Sequence, residues 1–596
     1  MGNEAIVYGA MRAGVAVATT YPGTPASEIG DLFARCGLYM EYSTNEKVAL
    51  EVAAAASFSN HRSIVSMKHV GLNVAADPLM TLAYTGVRSG MAVVAGDDPS
   101  MHSSQNEQDS RLYGVISDLP VLEPANPQEC YDMCLYAFDL SEELELPILL
   151  RTTTRVSHSR GAVDHEDVEM IGDEKLVRKK FDKDPFRFVA LPANSKRLRL
   201  RLLRQMEKAR ELVDRSELNR TYEVGGRDVD LGILSSSHPS SYIEEVAEEL
   251  GVRARVLKLG WAHPFPEELF KRFASGLKRL LVVEELEPYL ETMARKIAQR
   301  DGLDLDIAGK DLIARHYEVG PDQIRQALSM GVEKPLPSQE LPTRVPVLCP
   351  GCGHRSVYYA VGRVFPRAKT IFTSDIGCYT LGSQEPYRMA DTCLCMGSSI
   401  GIACGLSTFT DQRVIAFIGD STFFHSGLPA LVNAVHNSHS FITIVLDNST
   451  TAMTGHQPNP SMDRDERGNP APAISIKEVA KALGVGMVRE VDADDLEAMV
   501  SALKEARGFN GPSLIVAKYP CILLQNREKR RMGEKFRLYT VTGKCDNCYL
   551  CTDRFACPAL VKVDGRVEID EQLCSGCGFC VQVCPKGAIV EVKDDL

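Results

Sequence analysis

The sequence predicts an α/β protein: two doubly wound parallel-sheet domains, a smaller α/β domain between them and a small cysteine-rich tail. Three observations predict it. Strand-length apolar runs alternate with helical stretches, the pattern of a mostly parallel sheet flanked by helices. That alternation is interrupted twice, by a charged stretch and by a proline-bearing stretch. Finally, eight of the 18 cysteines fall between Cys545 and Cys584.

The elements follow in chain order. Residues 1–160 carry apolar runs at 63–67, 91–95 and 146–150, with an Ala-rich helical stretch at 48–57 and a turn at Gly96-Asp97-Asp98-Pro99. Residues 161–228 are rich in Lys, Arg and Glu, with Leu at helical spacing around 197–213. They read as a solvated helical connection rather than a nucleic-acid site. Residues 229–300 form the smaller α/β domain, with strands at 229–234, 254–259 and 279–284 and helices at 241–250, 266–275 and 288–299. Residues 301–345 contain several prolines and read as a connector. The third α/β region spans 346–525, with strands at 414–418 and 441–446. Residues 526–539 form a basic linker, and 540–596 the cysteine-rich tail.

Composition excludes several classes. At 596 residues the chain has length for about four domains. With 44% hydrophobic and 24% charged residues it is globular rather than disordered. A net charge of −12 disfavours nucleic-acid binding. No apolar run reaches the length of a membrane span, and no charged-then-apolar leader opens the sequence. A cytoplasmic protein is therefore expected, and there a cysteine cluster points to metal or iron–sulfur ligation rather than disulfides.

Cys574, Cys577, Cys580 and Cys584 form C-x2-C-x2-C-x3-C before Pro585, the bacterial ferredoxin spacing. Cys545, Cys548, Cys551 and Cys557 form an earlier run before Pro558, with a wider last gap. Two such runs point to two [4Fe–4S] clusters; zinc would favour paired C-x2-C knuckles. In ferredoxins the fourth cysteine of a run ligates the other cluster. The expected sets are therefore Cys545, Cys548 and Cys551 with Cys584, and Cys574, Cys577 and Cys580 with Cys557.

Gly419-Asp420-Ser421 follows the apolar run at 414–418, and Asp447-Asn448 follows that at 441–446. An acidic residue at one strand end and an amide at the next supply hard oxygens for Mg²⁺ bridged to phosphate, where open α/β sheets place their ligands. Helix-capping or turn roles are the plainer alternative.

The Gly-Asp, strand, Asp-Asn pattern resembles the thiamine diphosphate motif, with Ser421 in place of its second Gly. Tyr21-Pro22-Gly23-Thr24-Pro25 resembles a motif of the 2-oxoacid:ferredoxin oxidoreductases. Cys349-Pro350-Gly351-Cys352-Gly353-His354 resembles the motif that opens their diphosphate-binding domain, and Asp447 to Gln457 their metal-and-diphosphate loop. With the two-cluster tail, the whole chain resembles the alpha subunits of the indolepyruvate branch of that family. The resemblance implies a pyrimidine-binding thiamine diphosphate domain at 1–160 and a transketolase C-terminal-like domain at 229–300. It implies a diphosphate-binding domain at 346–525 and a ferredoxin-like 2[4Fe–4S] domain at 540–596.

It also implies roles. Glu46 would hydrogen-bond N1′ of the cofactor's aminopyrimidine, with Glu51 as the nearby competitor, and Thr24 would lie near the reacting carbonyl. Asp420, Asn448 and the carbonyl of Thr450 would hold Mg²⁺, with Gly419, Ser421 and His354 on the diphosphate side. Cys349, Cys352, Cys378 and Cys521 match the proximal-cluster ligands of related pyruvate enzymes. Either they hold a third cluster or the first pair only shapes a turn. Cys393, Cys395 and Cys404 read as packing residues. The polar run His102, Gln105, Asn106, Gln108, Asp109 and Arg111 reads as surface loop, or as an approach to the substrate. Lys68 and His69 would face the cofactor, and Arg88 the oxoacid carboxylate. The implied reaction is oxidative decarboxylation of indole-3-pyruvate and other arylpyruvates with coenzyme A, reducing external ferredoxin. A smaller beta subunit would complete an (αβ)₂ assembly. The alternatives are another oxoacid (phenylglyoxylate, pyruvate or branched-chain) or an electron-carrier or scaffold subunit.

Overall fold

The computed structural model describes residues 1–165, 176–226, 229–329, 346–534 and 536–592. The chain forms two compact units, Met1–Ser338 and Gln339–Leu596.

The first unit holds two sheets. In the larger, β1 (Val17–Thr20), β2 (Tyr39–Tyr42), β3 (Ser63–Lys68), β4 (Met91–Asp97), β5 (Val121–Leu122) and β6 (Ile148–Thr153) run parallel in the order β5-β6-β4-β3-β1-β2. Every residue of β3, β4 and β6 is buried, because helices cover both faces. The smaller sheet contains β7 (Arg220–Val224), β8 (Leu231–Ser236) and β9 (Ala254–Leu259). The chain then returns to the larger sheet as β10 (Trp261–His263), antiparallel to β5, before β11 (Arg279–Val283) and β12 (Asp306–Ala308) complete the smaller one.

The structure thus carries regular elements past the sequence-read limits of 229–300. β7 lies before them, and β12 and the helix Pro321–Leu328 lie in the stretch read as a connector. Within the charged connection, the helix Pro192–Val213 buries Leu198, Leu202, Met206, Ala209 and Val213, one apolar stripe at helical spacing. It is a packing helix with a charged outer face. Residues 166–175 and 227–228 of that connection, 330–345 of the connector, Lys535 of the linker and the last four residues lie outside the described residues.

The second unit is built on an all-parallel sheet in the order β14-β13-β15-β16-β18-β17. Its strands are β13 (Thr370–Ser374), β14 (Thr392–Cys393), β15 (Arg413–Gly419), β16 (Ile442–Asp447), β17 (Met487–Asp492) and β18 (Ser513–Lys518). The stretch read as a basic linker is mostly the helix Ile522–Met532, closed by Gly533 in the left-handed region at φ 70°. Lys529, Arg530 and Arg531 in its last turn favour the helix dipole, which composition alone concealed. The tail adds two antiparallel pairs, β19 (Tyr539–Val541) with β22 (Ile589–Glu591) and β20 (Leu560–Val563) with β21 (Arg566–Ile569).

The polar run read as surface loop is half buried. His102, Gln105 and Asn106 are exposed, but Asp109 and Arg111 are enclosed in the first unit. Arg111 pairs with Asp109 at 2.6 Å and Glu284 at 2.7 Å, and donates to the carbonyls of Glu285 and Glu287. Arg151 pairs with Asp97 at 2.6 Å and with Glu123. Two guanidiniums thereby join the carboxyl ends of β4 and β6 to the end of β11. The two arginines hold Asp109 down at about 2 against the opposing effect of burial. Burial pushes Glu285 up to about 7.

Breaking a buried pair leaves an uncompensated charge, so Arg111→Ala is expected to destabilise the first unit by about 3–5 kcal/mol. Arg199→Ala, which breaks the more exposed pair with Asp118, costs about 1 kcal/mol or less. Thermal unfolding of the two variants measures the contrast. Glu285 binds its proton more tightly when folded, so its contribution falls as pH rises from its unfolded range through about 7. Asp109 has the opposite sign: its contribution is lost as pH falls from the ordinary carboxylate range towards 2. Unfolding midpoints across pH, compared with those of Glu285→Gln, separate the two.

Candidate active site and cysteine cavities

In each unit the sequence-predicted residues collect at the carboxyl ends of parallel strands, beside the point where the strand order reverses. In the first unit that point lies between β1 and β3. Tyr21 to Thr24 leave β1 there, and Lys68-His69 leave β3. A Cβ on Gly23 would come within 2.8 Å of the Lys68 Cβ, so glycine permits the close approach. Lys68 donates to the Ser103 carbonyl at 2.8 Å and to its hydroxyl at 3.1 Å, and that hydroxyl donates to the Thr24 carbonyl at 3.2 Å. Burial pushes the Lys68 ammonium down to about 8, with Asp98 opposing. His69 Nε2 lies 3.2 Å from the Asn106 carbonyl oxygen, and its Nδ1 has no partner among the described residues.

Glu46 follows β2 as the first residue of the helix Glu46–Phe58, which Asn45 caps by accepting from the Val48 N–H at 3.0 Å. Its side chain is buried against Gly71, where a Cβ would lie 2.5 Å from Oε1. Glu51 is exposed and pairs with Lys47. Arg88 does not approach this end. It precedes the amino end of β4, opposite the carboxyl ends of the strands, where Asp182 pairs with it at 3.5 Å and the Phe188 ring lies 5.1 Å away.

In the second unit the reversal lies between β13 and β15. Asp420 follows β15 and Asp447-Asn448 ends the neighbouring β16. The Thr450 N–H lies 3.2 Å from both Asp420 Oδ2 and Asn448 Oδ1, so two of the predicted metal ligands meet at the amide of the residue whose carbonyl is the third. Asn459 also donates to Asp420 at 3.0 Å, and Ser461 at 3.5 Å. Burial, then the neighbouring Asp447, push Asp420 up to about 7; Asp447 is raised too. Two buried carboxyls side by side with an amide oxygen form a hard-oxygen donor set short of positive charge, which fits a magnesium ion. Gly419 is required sterically: a Cβ there would meet the Tyr379 ring at 2.7 Å. Ser421 accepts from the Thr451 hydroxyl at 3.0 Å. His354 is buried, its ring 6.3 Å from that of Tyr379, and burial pushes it down to about 4. Sequence reading missed Asn459 and Ser461, which sit in an aperiodic loop. It also missed Asp375, bonded to Tyr379 and, at 2.6 Å, to Ser399.

The cysteines fall into three groups. One cavity is lined by Cys545, Cys548, Cys551 and Cys584, another by Cys557, Cys574, Cys577 and Cys580, the two crossed sets. Four thiols line each cavity, the number that a [4Fe–4S] cluster takes as ligands. Cys349, Cys352, Cys378 and Cys521 are mutual neighbours. Burial, then one another's charge, push Cys352 and Cys378 up to about 12. Cys521 Sγ lies 3.5 Å from His456 Nε2. Cys404 is buried as a packing residue, but Cys395 is exposed and Cys393 half-buried. They sit at the edge strand β14, which no further strand covers.

Comparison with known proteins agrees with this organisation. Residues 8–216 match the pyruvate flavodoxin/ferredoxin oxidoreductase thiamine diphosphate-binding family, residues 375–517 the C-terminal TPP-binding domain of thiamine pyrophosphate enzymes, and residues 567–590 the 4Fe–4S binding domain. The chain is 48% identical to indolepyruvate oxidoreductase subunit IorA of Methanothermobacter thermautotrophicus, over 99% of this chain and 96% of that one. It is 46% identical to the Methanothermobacter marburgensis protein of the same name, with the same coverage. It is 42% identical to that of Thermococcus kodakarensis, over 100% of this chain and 97% of that one. The chain belongs to the IorA family of indolepyruvate oxidoreductase subunits. Its two large sheets are therefore thiamine diphosphate-binding domains, and its tail carries a 4Fe–4S binding domain. No helix among the described residues is long and apolar enough to cross a membrane.

Gly71→Ala would drive a methyl group into the Glu46 carboxyl. It is expected to lower thiamine diphosphate retention at least tenfold while leaving the unfolding midpoint within a few degrees of wild type. Cofactor content after gel filtration, read beside a thermal scan, checks this.

Proposed function

We propose that this chain is the cofactor-bearing subunit of an enzyme that oxidatively decarboxylates indole-3-pyruvate and other arylpyruvates. The acyl group passes to coenzyme A and the electrons to ferredoxin. The observation that carries this reading is that one unit holds both a buried oxygen cradle and four-cysteine cavities. The cradle suits a metal-bridged diphosphate and the cavities suit iron–sulfur clusters. The full-length likeness to subunits named for indolepyruvate supports the choice of oxoacid.

In this reading Glu46 hydrogen-bonds N1′ of the aminopyrimidine, and its burial keeps water from competing for the carboxyl. Asp420, Asn448 and the Thr450 carbonyl hold Mg²⁺; Gly419, Ser421 and His354 line the diphosphate side. Thr24 orients the oxoacid carbonyl through its hydroxyl. Bound thiamine diphosphate supplies the electron sink that decarboxylation needs. The eight tail cysteines hold two [4Fe–4S] clusters in the crossed sets, and Cys349, Cys352, Cys378 and Cys521 hold a third. Gly351 abuts Ser575 and lies opposite Cys577, which links the third set to the cavity of Cys557, Cys574, Cys577 and Cys580. Cys548 is exposed, so the Cys545 set is the exit to an external ferredoxin. A smaller subunit completes an (αβ)₂ assembly.

Anaerobic analysis of the purified protein tests this. About twelve irons per chain are expected with all three sets filled, and about eight with the tail sets alone. Cys521→Ser is expected to lose about four irons, and Cys584→Ser about four others. Asp420→Ala is expected to abolish Mg²⁺-dependent cofactor retention with iron content unchanged. Full cofactor retention in Asp420→Ala would contradict the assignment of the cradle.

A further inference from the structure

The first unit carries an open cleft of about 600 Å³ that the reading above leaves without an occupant. Thr24 and Thr154 stand on one side of it, after β1 and β6. His238 and Tyr242, from the short turn that follows β8, also line it. Arg155 and His102, further lining residues, are both tied to Glu318, at 2.9 Å and 3.1 Å.

His238 and Tyr242 form a built pair. Their rings meet edge to face, with centroids 4.8 Å apart and planes at 77°. His238 Nδ1 lies 3.5 Å from the Ala125 carbonyl oxygen, and Nε2 lies 2.6 Å from the Tyr242 oxygen. A carbonyl only accepts, so this network assigns the imidazole proton to Nδ1 and leaves Nε2 as the acceptor. The Tyr242 O–H therefore donates to Nε2. Burial lowers the affinity of His238 for a second proton. With its proton committed, the phenol oxygen faces the cavity as an acceptor, and no described residue donates to it.

An aromatic lining with one fixed acceptor suits a ring that carries an N–H. We propose that this cavity receives the aryl group of the oxoacid, and that Tyr242, oriented by His238, accepts a hydrogen bond from the indole N–H and so sets the preference for indole over phenyl side chains. The inference rests on the reading above, in which Thr24 faces the oxoacid carbonyl, and adds the determinant of side-chain choice. A site built around a hydrogen bond discriminates against a ligand lacking the partner group, because the bound ligand then covers the acceptor and leaves it unpaired.

The test uses the holoenzyme assembled with its second subunit. kcat/KM for indole-3-pyruvate and for phenylpyruvate, and KM for coenzyme A, are measured for wild type, Tyr242→Phe and Tyr242→Ala. Tyr242→Phe keeps the ring and removes the acceptor. It is expected to reduce the indole-to-phenyl ratio of kcat/KM about tenfold, with KM for coenzyme A unchanged. Tyr242→Ala is expected to weaken both oxoacids. An unchanged ratio in Tyr242→Phe overturns the proposal. So does an equal loss for both oxoacids with a raised KM for coenzyme A, which would make the cavity the acceptor's site. If wild type turns over no oxoacid, the underlying reading fails. Calorimetric binding of indole-3-lactate then decides the cavity by itself: tighter binding to wild type than to Tyr242→Phe supports the pocket, and equal binding refutes it.

Discussion

Negative charge buried at the carboxyl ends of parallel strands is the constraint on which the rest of this structure depends. An ionised carboxylate away from water is costly unless something compensates it. The chain compensates in three ways. Asp97, Asp109 and Glu284 meet the guanidiniums of Arg111 and Arg151, and the same contacts join the two sheets of the first unit. Asp375 meets the hydroxyls of Ser399 and Tyr379. Asp420 and Asp447 meet each other, with amide donors to Asp420 and the partly exposed Lys518 beside Asp447 as the opposing charge. The first two solutions are structural. The third leaves a charge deficit that a bound cation corrects, and it is the one that coincides with the diphosphate motif.

How much of this is legible in the sequence follows from range. The cysteine runs are readable because ligand spacing is local: the crossed sets deduced from C-x2-C-x2-C-x3-C are the ones that line the two cavities. Asp420 and Asn448 are readable because each follows an apolar run of strand length. Arg111 is not, because its partner Glu284 lies 173 residues further along and nothing local marks either as buried. Asn459 reaches Asp420 from a loop without periodicity. The helix Ile522–Met532 was hidden by its composition: it buries only Ile522, so it has no apolar stripe to read. His238 and Tyr242 belong to no motif, and only the folded chain brings them opposite Thr24.

Division of labour between the units follows from the same physics. The first unit offers a buried carboxyl, Glu46, packed against Gly71. That environment suits recognition of a heterocycle by a single directional bond. The second offers clustered oxygens and thiols, which suit a metal-bridged anion and electron carriers. Sulfur ligands need deprotonation, which burial opposes in tail thiols such as Cys551 and Cys580. Iron binding replaces those protons, so filling the cysteine cavities and folding of the tail reinforce each other.

The most direct test of the central claim is to mix the reconstituted two-subunit enzyme anaerobically with indole-3-pyruvate and follow the visible absorbance of its iron–sulfur clusters. The account predicts substrate-dependent bleaching, accelerated by coenzyme A and abolished in Glu46→Gln although that variant keeps its full iron content. Clusters that dithionite reduces but no oxoacid does, or a Glu46→Gln enzyme that bleaches at the wild-type rate, would contradict it.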